Sequence, residues 1–201
     1  MKMDSFLQNT LALTLLSCSV NAFADEAPAP TRETSFNLSI GLTTGGDTLA
    51  DLEFEDGDSE SVKAGGLAYF GAGVNIPVKE SFSVQLNAAY HFDTASASNA
   101  DLTFSRLSLE AITFYHFNDK VRLGLGVFQP VSASLELDGD LGEDSVDFDA
   151  DLGVLIELGV RSFGNSWWGL RYADVNYQLE DSFIEIDTDG SYIGAFFTYG
   201  F

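Results

Sequence analysis

The stretch FSVQLNAAYHFD, residues 82–93, decides the fold of this chain. Large apolar side chains occupy every second position, and polar or small side chains lie between them. Successive side chains of a β-strand point to opposite sides, so this period of two predicts a strand with two different faces. The apolar face of this strand carries Phe82, Val84, Leu86, Ala88, Tyr90 and Phe92.

The same alternation recurs in seven further segments and predicts an all-β chain of eight antiparallel strands. Short links alternate with long acidic links, and no segment with a helical period separates the strands, which disfavours a parallel α/β sheet. In an antiparallel hairpin the numbers of paired residues have a constant sum, so the turn lies midway between the outer ends of the two strands. We therefore expect the long links to turn near residues 55–56, 99, 141–142 and 183–184. The seven segments are 35–42, 68–76, 107–117, 121–128, 150–161, 167–173 and 193–201.

The polar face of these strands is rich in Gly and Ser and has few charges in mid-strand. Such a face suits the packed lumen of a small barrel better than the surface of a soluble protein. Aromatic residues bracket the apolar face near the strand ends, as in membrane barrels. We therefore predict an up-and-down transmembrane β-barrel with long hairpins on the extracellular side. A soluble lipocalin-like barrel is the alternative.

Six charged residues fall on the polar face within the predicted spans. A charge at membrane depth must face the lumen and be paired. Residues four apart on one strand are too distant to pair well, so we expect partners from other strands and a salt-bridge network that fills the lumen. A gated ion path is the alternative use of this network: Arg106, Glu110, Arg122, Glu157, Arg161 and Arg171.

Residues 1–24 have the pattern of a secretory signal peptide. An apolar stretch covers 10–20, and Ala22 and Ala24 form an A-x-A cleavage site before a polar segment. A lipoprotein signal ending before Cys18 is the alternative. We expect residues 25–34 to be a short periplasmic segment and residues 35–201 to be the barrel domain.

The composition is strongly acidic, with 31 Asp and Glu, 9 Lys and Arg, and a net charge of −22. Nucleic acid is excluded as a partner because phosphate binding needs a basic patch. The single Cys excludes a disulfide framework. Twenty acidic residues lie in 47–60, 136–151 and 180–189, which predicts acidic extracellular β-ribbons. These ribbons could gather divalent cations, but without the spacing of a calcium loop we expect no specific metal site.

His91 and Asp93 share a face near the outer end of their strand, with Ser96 and Ser98 close by in sequence. Such residues could serve hydrolysis at a barrel rim. No nucleophile motif surrounds either serine. We therefore interpret His91 and Asp93 as a polar rim pair and expect neither catalytic residues nor a cofactor.

The chain ends in SYIGAFFTYGF, residues 191–201, with aromatic side chains at alternate positions up to a terminal Phe. Together with eight amphipathic strands and a signal peptide, this ending resembles the small bacterial outer-membrane β-barrels of the OmpA/OmpX/OmpW-like kind. The resemblance implies a monomer in the outer membrane of a Gram-negative bacterium, in contact with membrane lipid and lipopolysaccharide. It also implies that the barrel-insertion machinery reads Phe197, Tyr199 and Phe201.

These observations favour a non-enzymatic barrel with a structural or surface-interaction role. An eight-stranded barrel has an interior that side chains fill, so a wide pore is not expected. A narrow cation-preferring channel or small-solute transporter is the first alternative. An outer-membrane enzyme that modifies lipids or peptides is the second.

Overall fold

The computed structural model describes residues 33–53, 59–96, 100–139, 142–179 and 187–201. The predicted signal peptide, with Ala22 and Ala24, lies outside these residues, as does most of the predicted segment 25–34. The described residues form thirteen strands: β1 (Ser35–Gly45), β2 (Thr48–Glu53), β3 (Ser59–Lys63), β4 (Ala68–Lys79), β5 (Phe82–Ser96), β6 (Ala100–His116), β7 (Val121–Gly139), β8 (Gly142–Ala150), β9 (Gly153–Arg161), β10 (Ser166–Asp174), β11 (Asn176–Leu179), β12 (Asp187–Asp189) and β13 (Tyr192–Gly200).

Eight of these strands close into an antiparallel barrel. Around the barrel their order is β1, β4, β5, β6, β7, β9, β10 and β13. The last strand pairs with the first, from Asn37 opposite Gly200 to Gly45 opposite Tyr192. This arrangement confirms the predicted all-β barrel, and each of the eight predicted segments contributes one of its strands.

The polar face of each barrel strand points inward and the apolar face points outward. In β1, Asn37 is 3% exposed, whereas its neighbour Phe36 is 71% exposed. The same alternation continues in β5, β6, β9 and β13. The outer wall is therefore an apolar band, which is stable against lipid and not against water. This confirms the transmembrane barrel over the lipocalin-like alternative.

On the side of the long links, the ladder continues above the barrel through β8, β11 and β12. Pairing registers centre the four long hairpins near residues 56, 98–99, 140–141 and 182–183. These centres lie within two residues of the predicted turns, although the tips themselves fall outside the described residues. Since outer-membrane barrels have short periplasmic turns and longer extracellular loops, the ribbons mark the extracellular end.

The first ribbon, β2 with β3, forms a two-stranded sheet of its own. The link from Lys63 to Leu67 brings the chain back to β4 across the top of the lumen. Val62 is completely buried there, among inward-facing side chains such as Ala95, Leu102 and Phe104. We call this packed region the upper core. Its apolar side chains close the extracellular end of the lumen.

Candidate functional site: the barrel lumen

Below the upper core, a buried ion cluster occupies the centre of the lumen. Arg171 of β10 donates from Nη1 to Glu110 Oε1 at 2.7 Å and from Nη2 to Glu110 Oε2 at 3.1 Å. Its Nε donates to Glu157 Oε1 at 2.7 Å. All three side chains are less than 5% exposed. The three residues come from β6, β9 and β10, so one guanidinium links β10 both to its neighbour β9 and to β6, a strand with which it has no backbone pairing.

We call Glu110, Glu157 and Arg171 the central triad. Neutral groups around them complete the buried cluster. Asn87 Nδ2 donates to Glu110 Oε2 at 3.0 Å, and Gln85 Nε2 donates to Asn87 Oδ1 at 3.1 Å. The ring of Tyr69 lies 4.6 Å from the Arg171 guanidinium carbon. Buried charges need such additional partners to offset the loss of their hydration.

Arg106 lies nearer the upper core and is held by neutral partners. It donates to the Tyr177 hydroxyl and to His91 Nδ1. Its guanidinium carbon lies 4.9 Å from the centre of the Tyr192 ring and 5.8 Å from that of Phe128. Aromatic faces attract a guanidinium that has lost its water, so these rings take the place of a carboxylate.

His91 and Asp93 hold the link between β3 and β4. A guanidinium can only donate, so His91 Nδ1 accepts from Arg106 and Nε2 carries the proton. That Nε2 lies 2.7 Å from the carbonyl oxygen of Gly66. Asp93 Oδ2 accepts from the Lys63 amide at 2.8 Å. Both side chains therefore fasten the base of the first ribbon above the lumen.

Below the central triad, the periplasmic end of the lumen opens into a polar cavity of about 450 Å³, which we call the lower cup. Arg122 spans its wall, with the guanidinium carbon 3.9 Å from the centre of the Phe114 ring and 4.5 Å from that of Trp167. Arg161 lies on the same Trp167 ring at 5.2 Å. The rim residue Glu33 also lines the cavity.

Of the six charged residues expected in the lumen, the described contacts place Glu110, Glu157 and Arg171 in one cluster. Arg106 lies above them among aromatic rings, and Arg122 and Arg161 lie below in the lower cup. The alternation of the sequence gives the face of each residue, but the height of partners across the lumen depends on strand register.

Sequence reasoning missed the large aromatic residues that fill the lumen between these charges. Each lies over a glycine of a neighbouring strand or segment, whose missing side chain makes room for the ring. A methyl group on Gly124 would lie 2.6 Å from the Phe114 ring. The signal was present as inward-facing glycines opposite bulky residues. The other pairs are Gly41 with Tyr69, Gly153 with Phe128, Gly169 with Phe196 and Gly190 with Tyr177.

The expected insertion signal lies on the outside of the barrel. Tyr199 and Phe201 are exposed on the outer wall, where their rings are 5.0 Å apart, and Phe197 is half-buried against Trp168. Its reading by the insertion machinery stays a prediction. In the described part of the chain, no group of three or more potential metal ligands comes together, and no helix is long and apolar enough to cross a membrane.

No protein-family model matches the chain, and no curated protein matches it in sequence. Solved structures do match its fold. Neisserial surface protein A aligns at 12% identity with a TM-score of 0.52, over 84% of this chain and 97% of that protein. Ail, the attachment invasion locus protein of Yersinia pestis, aligns at 12% identity over the same shares with a TM-score of 0.48.

A third similar structure is the outer membrane protein AlkL in lipid bilayers, at 14% identity, 88% and 96% coverage and a TM-score of 0.35. At these identities the comparison with Neisserial surface protein A supports the fold and nothing finer. Closed topology, inward polar face and outward apolar band agree with that similarity. The chain therefore has the fold of a small eight-stranded outer-membrane β-barrel.

Proposed function

We propose that this protein is a monomeric, non-enzymatic barrel of the outer membrane, with a structural or surface-interaction role exerted through its acidic ribbons. The observation that carries this proposal is the closure of the lumen. Between the central triad and the aromatic rings around it, the cavity measures only about 10 Å³. That is room for about one water molecule.

A channel function is less well supported by this interior. A permeating cation would have to pass Arg171, which is already paired with two carboxylates, and then the buried apolar side chains of the upper core around Val62. Below them it would meet the guanidiniums of Arg122 and Arg161. The ribbons at one end are acidic and the side chains at the other end are basic, so the lumen is not lined by charge of a single sign along its length.

An enzymatic function has similarly little support at the residues that the sequence suggested. The Nδ1 atom of His91 accepts from Arg106, and its Nε2 is bound to the Gly66 carbonyl. A general base must reach the proton of a nucleophile with a free lone pair. Both ring nitrogens of His91 are engaged by the protein itself.

The surface role rests on carboxylates that the ribbons hold clear of the barrel. Exposed acidic side chains follow both strands of the β7–β8 ribbon: Glu136, Asp138, Asp144, Asp147 and Asp149. Like charges on a solvated ribbon attract basic surfaces and divalent cations without a defined coordination site. Cations gathered there would bridge to anionic lipopolysaccharide in the outer leaflet.

Planar-bilayer conductance tests the closed lumen. We expect the purified protein to give no discrete current steps in potassium chloride. The double variant Arg171→Ala, Val62→Asp, which disrupts both the central triad and the upper core, should give them. Lys120→Ala is the matched control, because Lys120 is an exposed cation outside the lumen. Discrete cation-selective steps from the unmodified protein would contradict the proposal and favour the channel.

Binding to a basic surface tests the ribbons. Protein in nanodiscs is captured on immobilised poly-lysine at low and physiological salt. We expect the triple variant Glu136→Gln, Asp138→Asn, Asp147→Asn to bind about tenfold more weakly, because charge attraction at exposed sites scales with local charge and is screened by salt. The control triple Glu33→Gln, Glu80→Gln, Asp119→Asn removes the same charge from the opposite end. Equal loss in both triples would argue against a role of the ribbons.

A further inference from the structure

We propose that the lower cup binds a small oxyanion, a phosphate or carboxylate group, presented from the periplasm. This inference goes beyond the proposed function and does not depend on it, because it concerns the opposite end of the barrel from the ribbons.

Unsatisfied buried donors point to a ligand in the cup. Arg122 is 3% exposed, yet its Nε and Nη2 have no hydrogen-bond partner among the described residues. The same holds for the buried Nε of Arg161 and for both side-chain polar atoms of Asn37. Buried polar groups in proteins are normally paired, above all charged ones. An acceptor placed in the cavity would pair with several of these donors at once.

The charge of the lining selects the sign of that ligand. Two guanidiniums line the cup, whereas its two carboxylates, the side chain of Glu33 and the main-chain carboxylate of Phe201, belong to exposed rim residues. By contrast, Arg171 in the layer above forms ion pairs with two buried carboxylates. The buried part of the cup is therefore positive, in a chain whose net charge is −22, and its negative groups lie at the exposed rim.

The guanidinium groups are also held in place for binding. The guanidinium of Arg122 lies over the rings of Phe114 and Trp167, at 3.9 Å and 4.5 Å from their centres, and that of Arg161 lies over Trp167 at 5.2 Å. Stacking fixes the plane of a guanidinium and leaves its N–H edge available. That edge matches the two oxygens of a phosphate or carboxylate.

The cup is large enough for such a group and accessible from one side. Its volume of about 450 Å³ greatly exceeds the space of a single water. Its lining includes Glu33, Asn165 and Phe201, which lie at the short-turn end of the barrel. A ligand therefore enters from the periplasmic side, and the closed centre of the lumen stops it from going further.

Fluorescence of Trp167 gives a direct readout of binding. In a Trp168→Phe background, Trp167 is the one remaining tryptophan, and it lines the cup. Titration with inorganic phosphate at constant ionic strength should change its emission with saturation. We expect Arg161→Gln to weaken phosphate binding about tenfold or more. Lys120→Gln, a charge change on the exposed turn at the same end, should leave it unchanged.

Arg122→Gln removes a stacked buried guanidinium and could prevent folding, so Asn37→Ala serves as the second test. It deletes one unpartnered amide and should weaken binding by a smaller factor. A parallel titration with acetate and citrate shows whether phosphate or carboxylate is preferred, and saturable binding of either one supports the proposal.

Three results would overturn it. Sodium chloride could reproduce the change in emission, or Arg161→Gln and Lys120→Gln could behave alike. Phosphate could also bind only to Glu33→Gln, which would mean that the protein's own rim carboxylate occupies the cup.

Discussion

Arg171 and Glu110 belong to β10 and β6, two barrel strands separated by β7 and β9, and their side chains meet at 2.7 Å in the lumen. A tie of this kind connects two strands without any backbone pairing between them. Glu157 joins the same guanidinium from the neighbouring strand β9. The stability of the barrel should therefore depend on whether this cluster stays balanced in charge.

Removal of the guanidinium alone should be costly. Arg171→Met leaves two buried carboxylates without their cation, and breaking a buried pair in this way costs about 3–5 kcal/mol. The urea midpoint in detergent micelles, followed by heat-modifiable gel mobility, measures the loss. The triple variant Arg171→Met, Glu110→Gln, Glu157→Gln should recover most of it, because no unpaired charge remains. Equal stability of the single variant and the unmodified protein would contradict the structural importance of the central triad.

The fit between glycines and rings can be tested in β7 and β4. Gly124→Ala places a methyl group 2.6 Å from the Phe114 ring, so this ring, which contacts Arg122, must shift. Overpacking of this kind costs about 1–3 kcal/mol. Gly71→Ala is the matched control, since its methyl group would lie at an ordinary 3.5 Å from the Ser39 side chain. Unfolding midpoints should fall for the first variant only, and a similar fall in both would refute the specific fit.

The inward packing of the first ribbon predicts slow exchange of two amides at its base. Lys63 donates to Asp93 Oδ2 at 2.8 Å, and Ala64 donates to the Asp47 carbonyl at 3.0 Å. Val62→Asp would bury an unpaired carboxylate, at a cost of several kcal/mol, and should expel the ribbon from the upper core. Hydrogen exchange at residues 63 and 64 should then accelerate by orders of magnitude. Ser61→Asp, at the preceding half-buried position, should leave exchange slow.

Two adjacent tryptophans distinguish the two sides of the barrel wall. Trp167 is 6% exposed and faces the lumen, whereas Trp168 is 54% exposed on the outer face. In vesicles of brominated lipid, emission from Trp168 in a Trp167→Phe variant should be strongly quenched. Emission from Trp167 in the Trp168→Phe variant should be nearly unaffected. Equal quenching of both would be incompatible with this orientation of β10.

The carboxyl group of Asp189, in the extracellular strand β12, should titrate below its ordinary pKa. The hydroxyl and amide of Ser191 donate to Asp189 and hold the pKa of that carboxyl below its ordinary value. A lowered pKa in the folded state adds stability above the ordinary value, and this contribution is lost as pH falls through the folded pKa. The side chain is exposed, so the effect on stability is small. Carbon-detected NMR titration should show the low pKa, and Ser191→Ala should raise it towards the ordinary value.

The alternation in 82–93 was sufficient to predict β5 and its two faces. The ends of the predicted strands placed the turn of its hairpin near 99, and the observed pairing centres it at 98–99. Period and link length carry that information locally. The same alternation could not show that Arg106 lies beside Tyr177 and His91 rather than beside a carboxylate. Which inward residues share a height depends on the stagger of strands around the closed barrel, and that follows from all eight pairings together.

The inward turn of the first ribbon could not be predicted from the sequence either. It needs Gly65 beside Tyr192 and Gly66 beside Asp93, contacts between residues 127 and 27 positions apart in sequence. A side chain at Gly66 would collide with the carboxylate that holds the Lys63 amide. Glycines in a link suggest a turn from sequence alone. The neighbouring side chain that leaves no room for a Cβ atom can be identified only in the folded barrel.

The lower cup is a blind cavity that opens only towards the periplasm. A solute that enters it can leave only to the periplasm, because the central triad and the upper core fill the lumen above it. Occupancy of the cavity therefore reports on the periplasm alone, while the ribbons meet the exterior alone. Substitutions in the lower cup and substitutions in the ribbons should therefore act independently, because the rigid barrel holds both ends but passes no solute between them.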